Sequence, residues 1–149
     1  MDILGETRPT AGRWAAPGSG PGGVVRVGAG QLRARIRGGL PYRAFDRVRE
    51  RLQLSLPEAA AVLNVPLRTL ARRRIEKKLA ADESDRLYRL ARVAAHAVDV
   101  LGTDEKVAAW FRRSNRALGG ESPLQILDTD LGTRQVEDVL GRLEHGSIS

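Results

Sequence analysis

Between Arg68 and Lys78, six of eleven residues are arginine or lysine, and one acid, Glu76, interrupts them. No other stretch of the chain concentrates chemistry so strongly. An arginine fork binds guanine or phosphate bidentately, and a lysine ammonium binds phosphate as a point charge. Such a run recognises a polyanion, or it is a basic solvated helix. Its surroundings decide between the two. Arg68, Thr69 and Arg72 are candidates for base edges, and Arg73, Arg74, Lys77 and Lys78 for phosphates. Arg74 could instead pair with Glu76 or Asp85.

The elements that position these residues are legible. Ser55 followed by Glu58 forms a capping box, and Glu58-Ala59-Ala60-Ala61-Val62-Leu63 continues as a helix. Asn64 tolerates the positive φ that a tight turn needs. Pro66 suits the first position of a second helix, expected from about Pro66 to Lys77. In that helix Leu67, Leu70, Ala71 and Ile75 repeat at helical spacing and are expected to face the core. Arg68, Thr69, Arg72, Arg73 and Glu76 take the opposite face. Cap, turn and charge agree on a helix-turn-helix, whose second helix enters the major groove.

Composition bounds the rest. The chain has 149 residues and a net charge of +7, which fits a polyanionic partner. Residues 1–40 carry six basic and two acidic residues, residues 41–81 ten and four, and residues 82–149 nine and twelve. The basic surface is therefore N-terminal, and the −3 balance at the C-terminal end points to another task. Aromatics are few, and a core of Leu, Val and Ala favours an all-α fold. No cysteine is present, so disulfides and thiolate metal sites are excluded. No apolar run is long enough to cross a membrane and no signal-peptide pattern occurs, so a soluble cytoplasmic protein is expected, associated with the nucleoid when on DNA. The two histidines lack orienting partners, and His96 reads as exposed or partly packed. An enzyme, a metal site and a cofactor are not expected.

Residues 1–38 read as a flexible Gly/Pro-rich arm, with TAGRWAAPGSGPGG too poor in apolar residues to offset ordering entropy. Val24-Val25-Arg26-Val27 suggests a short extended segment there, and Trp14 a weak contact. Arg33, Arg35 and Arg37 alternate before Gly38-Gly39 in the arm. A helix over Pro41 to Gln53 places Phe45, Val48 and Leu52 on one face. A long helix from Asp82 to Leu101 has Leu87, Leu90, Ala91, Ala94, Val98 and Leu101 as its stripe, with Arg89, Arg92, His96 and Asp99 opposite. Thr103 caps a helix over Asp104 to Arg113, where Trp110 reads as core rather than contact. Ser122 and Gln125 box a short helix over Pro123 to Leu127. Asp128 to Gly132 reads as a connection, and Thr133 as the cap of a last helix ending at Glu144. The expected units are residues 39–101, a helix-turn-helix domain with its connecting helix, and residues 102–149, a small helical domain.

The ordered set Arg68-Thr69-Leu70, Arg72-Arg73, Glu83-Ser84-Asp85-Arg86-Leu87 and Arg89-Leu90-Ala91-Arg92 forms one signature. It continues with Ala108, Trp110, Asn115, Ala117-Leu118-Gly119-Gly120, Ser122-Pro123-Leu124, Leu127, Gly132, Val136, Leu140 and His145-Gly146. From about residue 41 to the end, the chain resembles the Xre/MbcA/ParS antitoxins of type II toxin–antitoxin pairs. The resemblance implies operator binding by an Xre-like helix-turn-helix and autoregulation of the operon. It implies a RES-domain toxin as partner, one that depletes NAD or transfers ADP-ribose. The C-terminal helix and tail would cover that toxin's cleft, which makes Leu131, Val136, Leu140, Leu143, Glu144, His145, Gly146 and Ser147 candidate contacts. Leu131, Val136 and Leu140 could equally be core. Arg116 stands where many relatives have proline. A homodimer within a hetero-oligomeric toxin–antitoxin complex is expected, because two half-sites raise operator affinity. The alternative is a stand-alone helix-turn-helix regulator without a toxin.

Overall fold

The computed structural model describes residues 28–146, and they form an all-α fold. Trp14, Val24–Val27 and Ser147 lie outside the described residues. The helices are α1 (Ala29–Gly38), α2 (Tyr42–Arg51), α3 (Leu56–Leu63), α4 (Leu67–Glu76), α5 (Ala81–Leu101), α6 (Asp104–Arg112), α7 (Pro123–Ile126) and α8 (Asp130–Glu144). A 3₁₀ turn at Arg116–Leu118 joins α6 to α7. The long helix α5 is the axis, with α1, α3, α6 and α8 packed against it.

One buried apolar cluster runs through the described residues. Phe45 and Val48 from α2, with Leu52 just after it, meet Leu63 and Leu70 from α3 and α4, and the cluster continues through Leu87 and Val93 of α5 to Phe111, Val136 and Leu140. Burial of each such side chain stabilises by roughly 1.5–3 kcal/mol. Trp110 packs against this cluster but is only partly buried. Polar links tie the helices together. Arg51 of α2 donates two bonds to Asp104 of α6 at 2.7 and 2.8 Å. Arg112 of α6 reaches back to the Leu52 and Gln53 carbonyls and to Glu58 of α3.

Four expectations need correction. Residues 28–38 are not an arm: α1 occupies them, with Leu32 and Ile36 half-buried and its helix lying on α5. The alternating arginines are all exposed on this helix, and arginine is a good helix former. Gly39 ends α1 at φ 92° with its α-carbon against the Leu79 carbonyl, where a side chain would collide.

The apolar face of α4 is not in the core. Only Leu70 is buried there, while Leu67 is 50% and Ile75 82% exposed. Leu70 and Arg73 set the rotation of the helix, and that rotation turns Leu67, Ala71 and Ile75 outward. Pro66 is the N-cap residue of α4 rather than its first helical residue.

The last helix starts at Asp130, not after Thr133. Thr129 is the cap, its hydroxyl accepting from the Gly132 N–H at 2.9 Å. Gly132 is inside the helix, at a close approach where a Cβ would run into the Ile126 carbonyl. Thr133 is buried and donates its hydroxyl to the Thr129 carbonyl at 2.8 Å. The polar side of α5 meets α8. Arg89, Arg92 and His96 pair with Asp130, Glu137 and Glu144 of α8, seven residues apart along that helix.

Candidate functional site

The first candidate surface is the α3–turn–α4 unit. Ser55 and Glu58 exchange the two capping bonds, at 3.2 and 2.8 Å. The Ser55 N–H bond holds the Glu58 carboxyl below its usual range, helped by Arg112 and opposed by burial. Asn64 takes the left-handed conformation, φ 57° and ψ 48°, which reverses the chain in a few residues. The turn then delivers α4 with Arg68 and Arg72 exposed one helical turn apart, and Thr69 half-buried between them. Arg74 is exposed beside Tyr42, whose hydroxyl is pushed up by burial and by Asp46. Lys77 closes the helix with φ 62°, and Lys78 follows exposed.

Arg73 differs from its neighbours. Its guanidinium donates to both oxygens of Glu83, at 2.8 and 3.0 Å, and to Glu76 at 3.1 Å. Glu83 is 3% exposed and also accepts from the Ala80 N–H at 2.8 Å. The bonds to Glu83, then Glu76, push the Arg73 pKa upward. Arg73, not Arg74, takes the nearby carboxylate, and it clamps α4 to the start of α5. Ser84 adds a second clamp, accepting from the Leu40 N–H and donating to the Ala80 carbonyl, each at 2.8 Å. Those anchors free Arg68, Arg72, Arg74, Lys77 and Lys78 to form the exposed basic surface.

The second candidate surface is α8 with the residues at its C-terminal end. Val136 and Leu140 are fully buried, so the structure places them in the core, not on a contact face. Leu143 is half-buried. Leu131 projects from the first turn at 69% exposure. Glu144 accepts from His96 across a 3.2 Å contact. His145 and Gly146 are exposed, and Gly146 ends the helix at φ 74°. Glu137 and Asp138 add acid along the helix. Among the described residues no group of acids and histidines is arranged to hold a metal ion. Among those residues no helix is long and apolar enough to cross a membrane.

Sequence reasoning missed the Arg51–Asp104 and Arg112 links, which join positions more than fifty residues apart. No local signal marks them. It also missed the Arg73–Glu83 clamp, although the capping position of Glu83 three residues after Ala80 offered a hint.

A helix-turn-helix unit carried on a long helix, with a compact helical unit behind it, is the class these features define. The comparisons agree. Residues 31–92 match the family profile "Antitoxin Xre-like helix-turn-helix domain". Residues 96–146 match "Antitoxin Xre/MbcA/ParS C-terminal toxin-binding domain". Proteins called Antitoxin Xre resemble the chain over most of its length. That of Photorhabdus laumondii is 36% identical over 79% of this chain and 81% of its own. That of Yersinia enterocolitica is 38% identical over 66% and 69%, and that of Pseudomonas putida 36% over 78% and 72%. The chain belongs to the Xre/MbcA/ParS family of type II antitoxins.

Proposed function

We propose that this antitoxin binds a RES-domain, NAD-consuming toxin through residues 102–149 and operator DNA through residues 39–101. In this reading α8 covers the toxin cleft. A cleft that handles the pyrophosphate of NAD needs positive charge, and the −3 balance of residues 82–149 is complementary to it. Complementarity of this kind speeds association more than it sets affinity. Affinity then comes from apolar anchors, and the exposed Leu131 is the clearest of these. Leu143, Glu144, His145, Gly146 and Ser147 complete the proposed contact. Val136 and Leu140 act only by holding α8 in place.

On the DNA side, Arg68, Thr69 and Arg72 read bases, and Arg74, Lys77 and Lys78 hold phosphates. Arg73 positions α4 and touches DNA little or not at all. Two copies bind two half-sites, and the toxin–antitoxin complex represses its own operon in the cytoplasm. The observation that carries the reading is the outward pair Arg68 and Arg72 on α4, which follows the capped α3 through the Asn64 turn and is clamped by Arg73 to Glu83.

The test separates the two surfaces. Arg68→Ala with Arg72→Ala is expected to abolish operator binding and keep neutralisation of the toxin. A change at Leu131 is expected to do the reverse. A folded variant that loses both activities together contradicts the two-surface division.

A further inference from the structure

The outward face of α4 is only partly basic. With about 100° between successive residues, Leu70 and Arg73 point toward the body of the fold. Arg68, Ala71, Arg72 and Ile75 fall on the opposite side, and all four are exposed. Leu70 at 2% exposure and Ile75 at 82% fix that orientation. Ile75 therefore stands near the middle of the outward face, one turn beyond Arg72 and in line with Arg68 two turns back.

Isoleucine at this position serves neither the core nor the helix. It is no better a helix former than serine, and a poorer one than arginine or alanine. With Leu67, which is 50% exposed, and Ala71 it makes an apolar row along α4 beside the row of Arg68 and Arg72. Apolar side chains clustered in water mark a contact surface.

The surroundings of the row define the chemistry of its partner. Arg68, Arg72, Arg74, Lys77 and Lys78 are exposed, and the one acid of the segment, Glu76, accepts from Arg73. A partner must bring negative charge to these cations and apolar carbon to the centre of the face. The major groove of DNA brings both, phosphates along its edges and thymine C5-methyl groups on its floor. We propose that Ile75, with Ala71, contacts thymine methyl groups beside the guanines that Arg68 and Arg72 bind, which makes Ile75 a specificity-determining residue. The inference rests on the DNA-binding reading of α4 and adds a base preference to it. The middle of the outward face lies nearest the groove floor, so a short branched side chain reaches a methyl there. From Arg68 to Ile75 the helix rises about 10 Å, or about three base-pair steps. The contacted thymine is therefore expected within about three base pairs of the guanine that Arg68 binds.

A second copy is the rival occupant. Tyr42, Leu56 and Pro57 stand beside Leu67 and Ile75 around a groove of about 780 Å³, which a protein surface would fill. A two-fold contact there is self-complementary, so it would set Arg74 and its neighbouring cations against their own image. Duplex DNA neutralises the same charges.

The experiment uses the full chain and a duplex that it enriches from a library of randomised sequences. Each thymine of that duplex is replaced in turn by deoxyuridine, which lacks only the C5-methyl group and keeps the O4 acceptor. Binding is read by fluorescence anisotropy at one salt concentration. Deoxyuridine at the contacted thymine is expected to weaken binding about fourfold, the worth of one buried methyl. In Ile75→Ser the same replacement is expected to change nothing. Serine matches isoleucine in helix propensity and the position is 82% exposed, so this variant keeps its fold, which circular dichroism checks. Equal binding of the thymine and deoxyuridine duplexes, at every position, overturns the proposal and leaves DNA binding standing. A deoxyuridine loss that persists undiminished in Ile75→Ser assigns the methyl effect to the duplex or to another residue, and overturns it too. A drop to half the solution mass in Ile75→Ser makes the row a contact between copies and also overturns it. If the chain enriches no duplex at all, the DNA-binding reading fails and the proposal falls with it.

Discussion

The clamp between Arg73 and Glu83 yields the sharpest prediction. Arg73→Met removes the guanidinium and leaves a carboxylate that is 3% exposed with one remaining donor, the Ala80 N–H. Breaking a buried pair from one side costs about 3–5 kcal/mol. The Arg73 side chain is 17% exposed, so the low end applies, about 3 kcal/mol. For a chain of this length that lowers the melting temperature by about 9 °C. Glu83→Met costs about 2 kcal/mol, because Arg73 keeps Glu76 but the helix start loses its cap. With both replaced, no charge is stranded, and the double variant is expected to cost about 2 kcal/mol rather than the sum of about 5. Urea unfolding followed by far-ultraviolet circular dichroism measures all three. A single Arg73→Met change within about 0.5 kcal/mol of the parent, or additive costs in the double variant, would refute the clamp. Operator binding separates the alternatives further. If Arg73 is a phosphate contact, Arg73→Met reduces the salt dependence of binding by about one counterion with no loss of stability.

Other outcomes follow from the same geometry. Arg68→Ala and Arg72→Ala each leave stability within about 0.5 kcal/mol and weaken operator binding by about 1–3 kcal/mol, read by fluorescence anisotropy across a salt series. Gly132→Ala reverses the usual gain of alanine in a helix: its Cβ meets the Ile126 carbonyl, and a net loss of about 1–3 kcal/mol is expected in thermal unfolding. Ser55→Ala costs about 1 kcal/mol. The Glu58 carboxyl is held low chiefly by the Ser55 N–H, so its capping contribution is complete above the unfolded carboxylate value and is lost as pH falls through the folded one. Glu58→Gln should flatten that acid limb in unfolding measured from about pH 6 to about pH 3. Leu131→Glu, on a side chain 69% exposed, leaves the fold intact and weakens toxin binding at least about tenfold.

What was legible in the sequence was local. The Ser55–Glu58 box, the left-handed Asn64, the Thr103 cap and the Ser122–Gln125 box each depend on residues within four positions, and each formed as read. What was not legible depended on distant chain. The Arg73 clamp needed α5 beside α4. The start of α8 needed the Ile126 carbonyl against Gly132, without which that glycine reads as a loop residue. Periodicity announced an apolar face on α4 but could not say whether another element covers it. The same limit affected the candidate toxin contacts: helical spacing grouped Val136 and Leu140 with Leu143, and only packing on α5 separated buried from half-buried. The basic α4 residues were found because charge is read from composition, and the burial of Arg73's partner was not.

The most direct measurement is co-expression of this chain with the protein encoded beside it, followed by copurification and a cellular NAD assay. The expected result is that the neighbour alone depletes NAD, and that the two proteins together copurify and restore it. In that pair, Leu131→Glu should release the toxin, while Arg68→Ala with Arg72→Ala should not. A neighbour that leaves NAD untouched and does not copurify would contradict the RES-toxin reading and leave helix-turn-helix recognition of DNA to be tested by itself.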